Sequence, residues 1–159
     1  MRTELSLSLP RRLFLGVGTA AVAAVMTGAW KEKRHAAKIH VGPGCGCCHG
    51  WVEHVRGTNR FDVTVVEEED IVAFKRKVGV PAPLSSCHTA LIAGFVVEGH
   101  VPASDILRLI DARSSTIVGI AAPGMPLGSP GMEVTSGNKD EFEVLAFDRA
   151  SNVTVFARH

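Results

Sequence analysis

The sequence predicts one α/β domain with a mixed sheet, carrying a Pro/Gly/Met loop and a C-terminal β-hairpin and preceded by an export signal. Three observations lead there. Short apolar runs alternate with stretches of helical period in the order strand, helix, strand, helix, strand, strand. The 159 residues are 46% apolar with a formal charge of +1, which suits a single core and gives no electrostatic reason to bind nucleic acid. Residues 1–30 follow a different pattern, basic at first and then small and apolar.

That N-terminal stretch looks like a twin-arginine signal peptide. Pro10-Arg11-Arg12 stands directly ahead of Leu13-Phe14-Leu15, and a run of Gly, Ala and Val continues to Met26. An uncleaved membrane anchor is the alternative. Leu13 to Trp30 is only marginally long enough to span and is rich in Gly and Ala, so cleavage is favoured, with Thr27-Gly28-Ala29 a weak site. Twin-arginine export usually carries proteins that fold, and often load a cofactor, before crossing. The expected location is therefore a bacterial periplasm, with no membrane association after cleavage. That compartment is oxidising, so free thiols there need a bridge or a metal.

Residues 31–37, which include Lys31-Glu32-Lys33-Arg34-His35, read as a solvated linker, and residues 38–159 as the domain. Lys38-Ile39-His40-Val41 is a short strand. Gly42-Pro43-Gly44 is a turn, and Trp51, Val52 and Val55 form the inward stripe of a helix. Phe61 to Val66 supplies a second strand, and Glu67-Glu68-Glu69 a solvated acidic turn. Asp70 is placed to cap a helix over Ile71 to Val78, with Ile71, Phe74 and Val78 on one face and Gly79 just past its end. Val80 to His88 is a proline-stiffened loop into the strand Thr89 to Ala93. Gly94 turns the chain into Phe95 to Glu98. A helix carries Ile106, Leu107, Leu109 and Ile110, with Ser104 or Asp105 near its start. Phe142 to Phe147 and Asn152 to Ala157 alternate as a hairpin turning at Asp148 to Ser151.

Chemistry concentrates in Gly42-Pro43-Gly44-Cys45-Gly46-Cys47-Cys48-His49-Gly50-Trp51, which holds three of the four cysteines at a strand-to-helix junction. A helix N-terminus stabilises thiolate over thiol. Cys45 and Cys48 have the C-x-x-C spacing of redox sites, and Cys47 is surplus to such a pair. Adjacent cysteines such as Cys47 and Cys48 bridge only with strain. Three convergent thiolates suit a soft cation. Two alternatives stay open: a structural disulfide, since exported chains with four cysteines often form two bridges, and haem attachment, since Cys45 to His49 also satisfies C-x-x-C-H. The strand order brings the loop that enters the third strand beside the end of the first, which would set Cys87 near the other three.

Pro123-Gly124-Met125 and Pro130-Gly131-Met132 repeat one tripeptide in a stretch with neither helical nor strand period. Thioethers are soft ligands for Cu(I); loop anchoring is the plain alternative for Met125 and Met132. Of seven histidines, His88 and His100 have positional arguments for facing a metal, and His49 a weaker one. His54 reads as surface, and His35, His40 and His159 as solvated.

Taken in order, Cys-Gly-Cys-Cys-x-x-Trp, Ser86-Cys87-His88-Thr89-Ala90, Glu98-Gly99-His100-Val101-Pro102 and Pro123-Gly124-Met125-Pro126-x-Gly128-Ser129-Pro130-Gly131-Met132-Glu133 resemble one family. It is the domain-of-unknown-function family that includes the CopG-type periplasmic copper proteins, and the resemblance runs from Ile39 to Phe156. It implies a thioredoxin-like domain in proteins associated with copper resistance and proposed to interconvert Cu(I) and Cu(II). Carried over by position, Cys45, Cys47, Cys48 and Cys87 would be the copper-binding thiolates, with Met125, Met132 and His88 or His100 as neighbouring donors. His49 falls outside the motif and its role stays open.

The expected function is therefore copper binding, with interconversion or buffering of Cu(I) and Cu(II) and with several Cu(I) ions sharing thiolates as one way to use sulfurs this close. Periplasmic copper-handling proteins are the expected partners. The rival is a thiol–disulfide oxidoreductase using Cys45 and Cys48. Zinc fits less well, because three ligands crowd into one loop instead of forming two C-x-x-C knuckles.

Overall fold

The computed structural model describes residues 33–159. The signal peptide, its cleavage site and the first residues of the expected linker lie outside the described residues. The elements run β1 (His35–Val41), α1 (Gly46–Gly57), β2 (Phe61–Glu67), α2 (Ile71–Lys77), a 3-10 turn at Ala82–Leu84, β3 (His88–Ile92), β4 (Phe95–Gly99), α3 (Ala103–Ala112), β5 (Gly119–Ala122), β6 (Glu143–Phe147) and β7 (Val153–Arg158). β1 begins three residues earlier than the sequence suggests, because His35 to Ala37 pair with Phe61 to Val63 of β2. Part of the expected linker is thus strand.

All seven strands form one sheet in the order β2-β1-β3-β4-β5-β6-β7. β1 is parallel to β2 and antiparallel to β3, β3 and β4 form a hairpin, β4 runs parallel to β5, and β5-β6-β7 continue antiparallel. The mixed sheet and the C-terminal hairpin agree with the sequence reading.

Successive strand residues face opposite sides. His88 lies against Trp51 of α1, and Thr89 against Lys75 of α2, so α1 and α2 cover opposite faces. The larger core joins Trp51, Val52 and Val55 of α1 to Ile39, Ala90, Ile92, Val97, Ile106 and Leu109. A smaller one on the α2 side gathers Val80, Leu84, Val96, Ala121 and Phe147.

Asp70 caps α2 as expected, its carboxylate accepting from the Ala73 N–H at 2.8 Å. The inward face of α2 differs from expectation. Its fully buried residue is Lys75, while Ile71, Phe74 and Val78 are half-buried. The reason lies in the sheet beneath, where His40, Thr89 and Glu98 stand in register across β1, β3 and β4 and offer polar partners. His40 is consequently not solvated: it is buried, stacks on Phe74 at 3.8 Å and binds Glu68 at 2.7 Å.

His159 is also engaged. Its backbone pairs with Phe142 and its imidazole reaches the buried Asp105 at 2.7 Å. α3 starts at Ala103, with Pro102 at its N-cap and Ser104 and Asp105 in its first turn, near the start as the sequence suggests. Among the described residues, no helix is long and apolar enough to cross a membrane.

Candidate metal centre

β1 ends at Val41, and the chain turns through Gly42-Pro43-Gly44 so that Cys45 occupies the N-cap of α1. Cys47 and Cys48 fall in the first helical turn. Cys48 lies on the stripe shared with Trp51, Val52 and Val55 and is buried, whereas Cys47 is half-buried. From the other direction, β3 starts at His88, which pairs with Val41 across the antiparallel β1–β3 ladder. The loop leaving β1 and the loop entering β3 therefore meet at the same end of the sheet. Cys87 arrives beside the cysteine loop for that reason.

The four sulfurs all lie within 4.8 Å of one another. Cys45 and Cys48 are joined in a disulfide, with Cα atoms 5.5 Å apart. Cys47 and Cys87 are free, and Cys47 Sγ is 3.6 Å from Cys45 Sγ. A second donor set shares Cys87: its sulfur is 3.2 Å from His88 Nδ1 and 3.1 Å from His100 Nε2. Ligating atoms of Cys87, His88 and His100 also fall within 4.8 Å of one another. Cys87 is thus the common corner of a sulfur set and a mixed sulfur–nitrogen set.

His100 has its tautomer set by the loop above it. Its Nδ1 lies 2.8 Å from the Pro130 carbonyl, and a carbonyl only accepts, so Nδ1 carries the proton. Nε2 is left with its lone pair aimed at Cys87 Sγ, where it accepts the thiol proton or faces a cation. A hydrogen-bonded far nitrogen of this kind is the usual way a metal-ligating imidazole is oriented. Gly99 makes the turn into His100 with φ +71, and an added Cβ there would come within 2.6 Å of the Ala122 carbonyl and Ser86 Oγ.

Two further hydrogen bonds tie α1 to the turn after His100. Trp51 Nε1 donates to the Val101 carbonyl at 2.8 Å, and three residues along the helix His54 Nε2 accepts from the Ala103 N–H at 3.1 Å. His54, expected on the surface, is half-buried and closes the start of α3, where a backbone N–H lacks a partner within the helix. The sequence signal for this was its i+3 spacing from Trp51.

The Pro/Gly/Met loop reaches the centre through its main chain. Gly131 packs directly on α1: an added Cβ there would stand 2.4 Å from the Trp51 nitrogen, and one on Gly50 would stand 2.9 Å from Gly131 Cα. This close approach places the Pro130 carbonyl on His100. Met132 is half-buried next to Gly131, and Met125 is 43% exposed. His49 is exposed.

Burial governs the protonation states. It pushes the Cys87 thiol up to about 12, helped by the neighbouring Cys47. His88, enclosed against Trp51, is brought down to about 3 chiefly by desolvation, with the neighbouring His100 ring and the Lys75 ammonium disfavouring a second positive charge, against the opposing pull of the Gly99 carbonyl. His100 is lowered by desolvation, with the Pro130 carbonyl and Glu133 opposing. Without metal the pocket therefore holds a protonated thiol between neutral imidazoles, so a bound cation would displace the thiol proton and meet unprotonated nitrogens.

Comparison with solved structures settles the family. One described as "Copper resistance protein copG- Form 2" is 42% identical over 80% of this chain and 99% of its own length, with a TM-score of 0.74. The chain belongs to the CopG family. A second CopG structure, "Copper resistance protein copG- Form 1", is 44% identical over 78% of this chain and 96% of its own, with a TM-score of 0.72. Residues 84–132 match the family described as "Protein of unknown function, DUF411". That segment holds Cys87, His88, His100, Met125 and Met132, and the CopG matches extend the likeness over most of the described domain. No curated protein sequence matches the chain.

The sequence reading missed one group beside the cysteine–histidine cluster of this CopG-family chain. Lys75, Thr89 and Glu98 form a buried polar layer on the α2 side of the sheet, directly behind His88. Its signal was a carboxylate set in the apolar strand Phe95-Val96-Val97-Glu98.

Proposed function

We propose that this protein is a periplasmic copper-binding protein of copper resistance that interconverts or buffers Cu(I) and Cu(II) at Cys45, Cys47, Cys48 and Cys87. One observation carries the reading: four sulfurs gathered within 4.8 Å share a corner with two imidazoles. Thiolates favour Cu(I), whereas imidazole nitrogens suit Cu(II) as well. A donor set that can shift between sulfur and nitrogen around Cys87 therefore accommodates both oxidation states. Met125 and Met132 would supply thioether donors from the loop. Zinc is the weaker assignment, since the donors do not come as two C-x-x-C knuckles.

The Cys45–Cys48 bridge supports a redox role and supplies its stoichiometry. A dithiol oxidised to a disulfide releases two electrons, so two Cu(II) and the Cys45/Cys48 dithiol give two Cu(I), the disulfide and two protons. The same bridge favours a second reading, thiol–disulfide exchange with a protein dithiol, in which Cys47 or Cys87 resolves the mixed disulfide.

A thioredoxin-like classification is supported by the order β2-β1-β3-β4, with β3 antiparallel to β1 and the cysteine loop at the β1–α1 junction. Periplasmic location by the twin-arginine route rests on Arg11-Arg12 and the apolar run that follows. Copper ions and periplasmic copper-handling proteins are the proposed partners.

The test is anaerobic titration of the fully reduced protein with Cu(I), followed by thiol counting. Uptake of Cu(I) with protection of all four thiols is expected. Protein that takes up none, and whose thiols stay open to alkylation, would rule the reading out.

A further inference from the structure

Glu98 is fully buried in β4, and its carboxylate is shared among three donors. Lys75 Nζ from α2 and the Ser86 backbone N–H both reach Oε1 at 2.6 Å, and the Thr89 hydroxyl donates to Oε2 at 2.6 Å. Lys75 also donates to Thr89 Oγ1 at 2.9 Å, which closes the ring of contacts. Ser86 and Thr89 flank the dipeptide Cys87-His88. One carboxylate therefore grips the chain on both sides of two candidate ligands, and its own strand delivers a third, His100, two residues later.

A buried ion pair is weak evidence for stability, because apolar residues of similar volume often do as well. Such pairs are better explained where they specify a geometry. Here Lys75 neutralises the carboxylate and reaches Thr89, whereas the carboxylate accepts from both Ser86 and Thr89 and so spans the dipeptide Cys87-His88. We infer that Glu98, charge-balanced by Lys75, is a positioning residue for the metal centre: it holds the Ser86–Thr89 segment so that Cys87 Sγ faces the other three sulfurs and both imidazoles. This inference rests on the copper-binding reading above and extends it to residues that touch no metal donor directly.

Two double variants of the full chain separate positioning from folding. K75M/E98Q is neutral and keeps an oxygen to accept from Ser86; K75M/E98L is equally neutral and offers none. The first measurement is Cu(I) affinity by competition with a chromophoric chelator. K75M/E98Q should stay near wild type, and K75M/E98L should fall by about tenfold or more, as loss of a supporting hydrogen bond around a ligand does. Thermal melting of both metal-free variants is recorded in parallel, and comparable melting assigns the loss to geometry.

The second measurement needs no metal. With Cys47→Ser added and the Cys45–Cys48 bridge intact, Cys87 is the one free thiol, and its alkylation rate reports how it is held. That rate should rise in K75M/E98L and stay at the parent value in K75M/E98Q. If K75M/E98L does not fold, Thr89→Val removes one of the two straps without touching charge and should raise the rate as well. An unchanged Cys87 rate in the folded acceptor-less variant overturns the inference, whatever the copper result. A wild-type protein that binds no copper overturns the functional reading instead.

Discussion

Val41 and His88 face each other across the antiparallel β1–β3 pair. Because the two strands run in opposite directions, the residue after Val41 and the residue before His88 leave the ladder at the same end. This pairing joins a loop at residues 42–48 to a cysteine at 87, and it makes one donor cluster from two distant stretches of chain. A register shift of one residue would turn His88 to the α2 face and Thr89 toward Trp51.

Cys47 lies close to the disulfide yet outside it. Cys47→Ser should therefore separate the two functional readings. Dithiol exchange through Cys45 and Cys48 is expected to survive, while Cu(I) affinity falls by about tenfold or more as a donor is lost. Competition titration and an exchange assay in the presence of a strong copper chelator check both halves. Retained copper affinity with lost exchange would reverse the assignment.

Cys87 remains a thiol at neutral pH, its titration pushed up to about 12 by burial and by Cys47. Since the thiolate is the nucleophile, Cys87 of the metal-free protein should react with iodoacetamide on the order of a hundredfold more slowly than an ordinary exposed cysteine. Peptide mapping after timed alkylation at pH 7.5 measures this. A Cys87 labelled as fast as a free thiol would contradict the enclosed geometry.

His54, His88 and His100 all have lowered folded-state values, each led by desolvation. The unfolded chain therefore binds more protons than the fold, and stability rises with pH through this range. The contribution is complete above the ordinary histidine value near 6.5 and is lost as pH falls toward the folded values, the lowest of which is about 3 for His88. For the fully enclosed His88, each unit of lowering is worth about 1.4 kcal/mol once both forms are protonated; half-exposed His54 contributes less. Urea midpoints of the metal-free protein should drop between pH 7 and pH 5, above the range where carboxylates titrate. A flat or rising midpoint over that window would count against neutral buried imidazoles.

Gly131 has φ +82 and no room for a Cβ against the Trp51 nitrogen. Gly131→Ala should cost about 1–3 kcal/mol and lift the Pro/Gly/Met loop from α1, freeing His100 Nδ1 from the Pro130 carbonyl. Denaturant unfolding gives the energy, and limited proteolysis within residues 123–140 gives the local effect. Wild-type stability together with wild-type protection would argue against this packing.

Trp51→Phe removes the Nε1–H that holds the Val101 carbonyl while leaving an aromatic ring against His88. The loss of a buried hydrogen bond with its acceptor left behind should cost about 1–3 kcal/mol. Thermal and urea unfolding check it. An effect near zero would mean the α1 contact to the His100 turn contributes nothing.

Local pattern carried much of this protein. Short β-branched runs, the Asp70 cap, the glycine after α2 and the alternation of the C-terminal hairpin depend on neighbours in sequence, and the elements appear where those signals place them. The cysteine spacing and the paired Pro-Gly-Met tripeptides likewise marked two of the stretches that meet at the sulfur–imidazole cluster before any contact was known. Tertiary structure decided which polar side chains are enclosed. His40, Lys75 and Glu98 look solvent-exposed by residue type and become buried because strand register sets His40 and Glu98 beneath α2, where Glu98 pairs with Lys75 of that helix and His40 meets Phe74 and Glu68. His100 acquires its tautomer from a carbonyl thirty residues away. Burial and hydrogen-bond partnership are properties of long-range packing, and a one-dimensional period reports only which face a residue occupies, not what is waiting on that face.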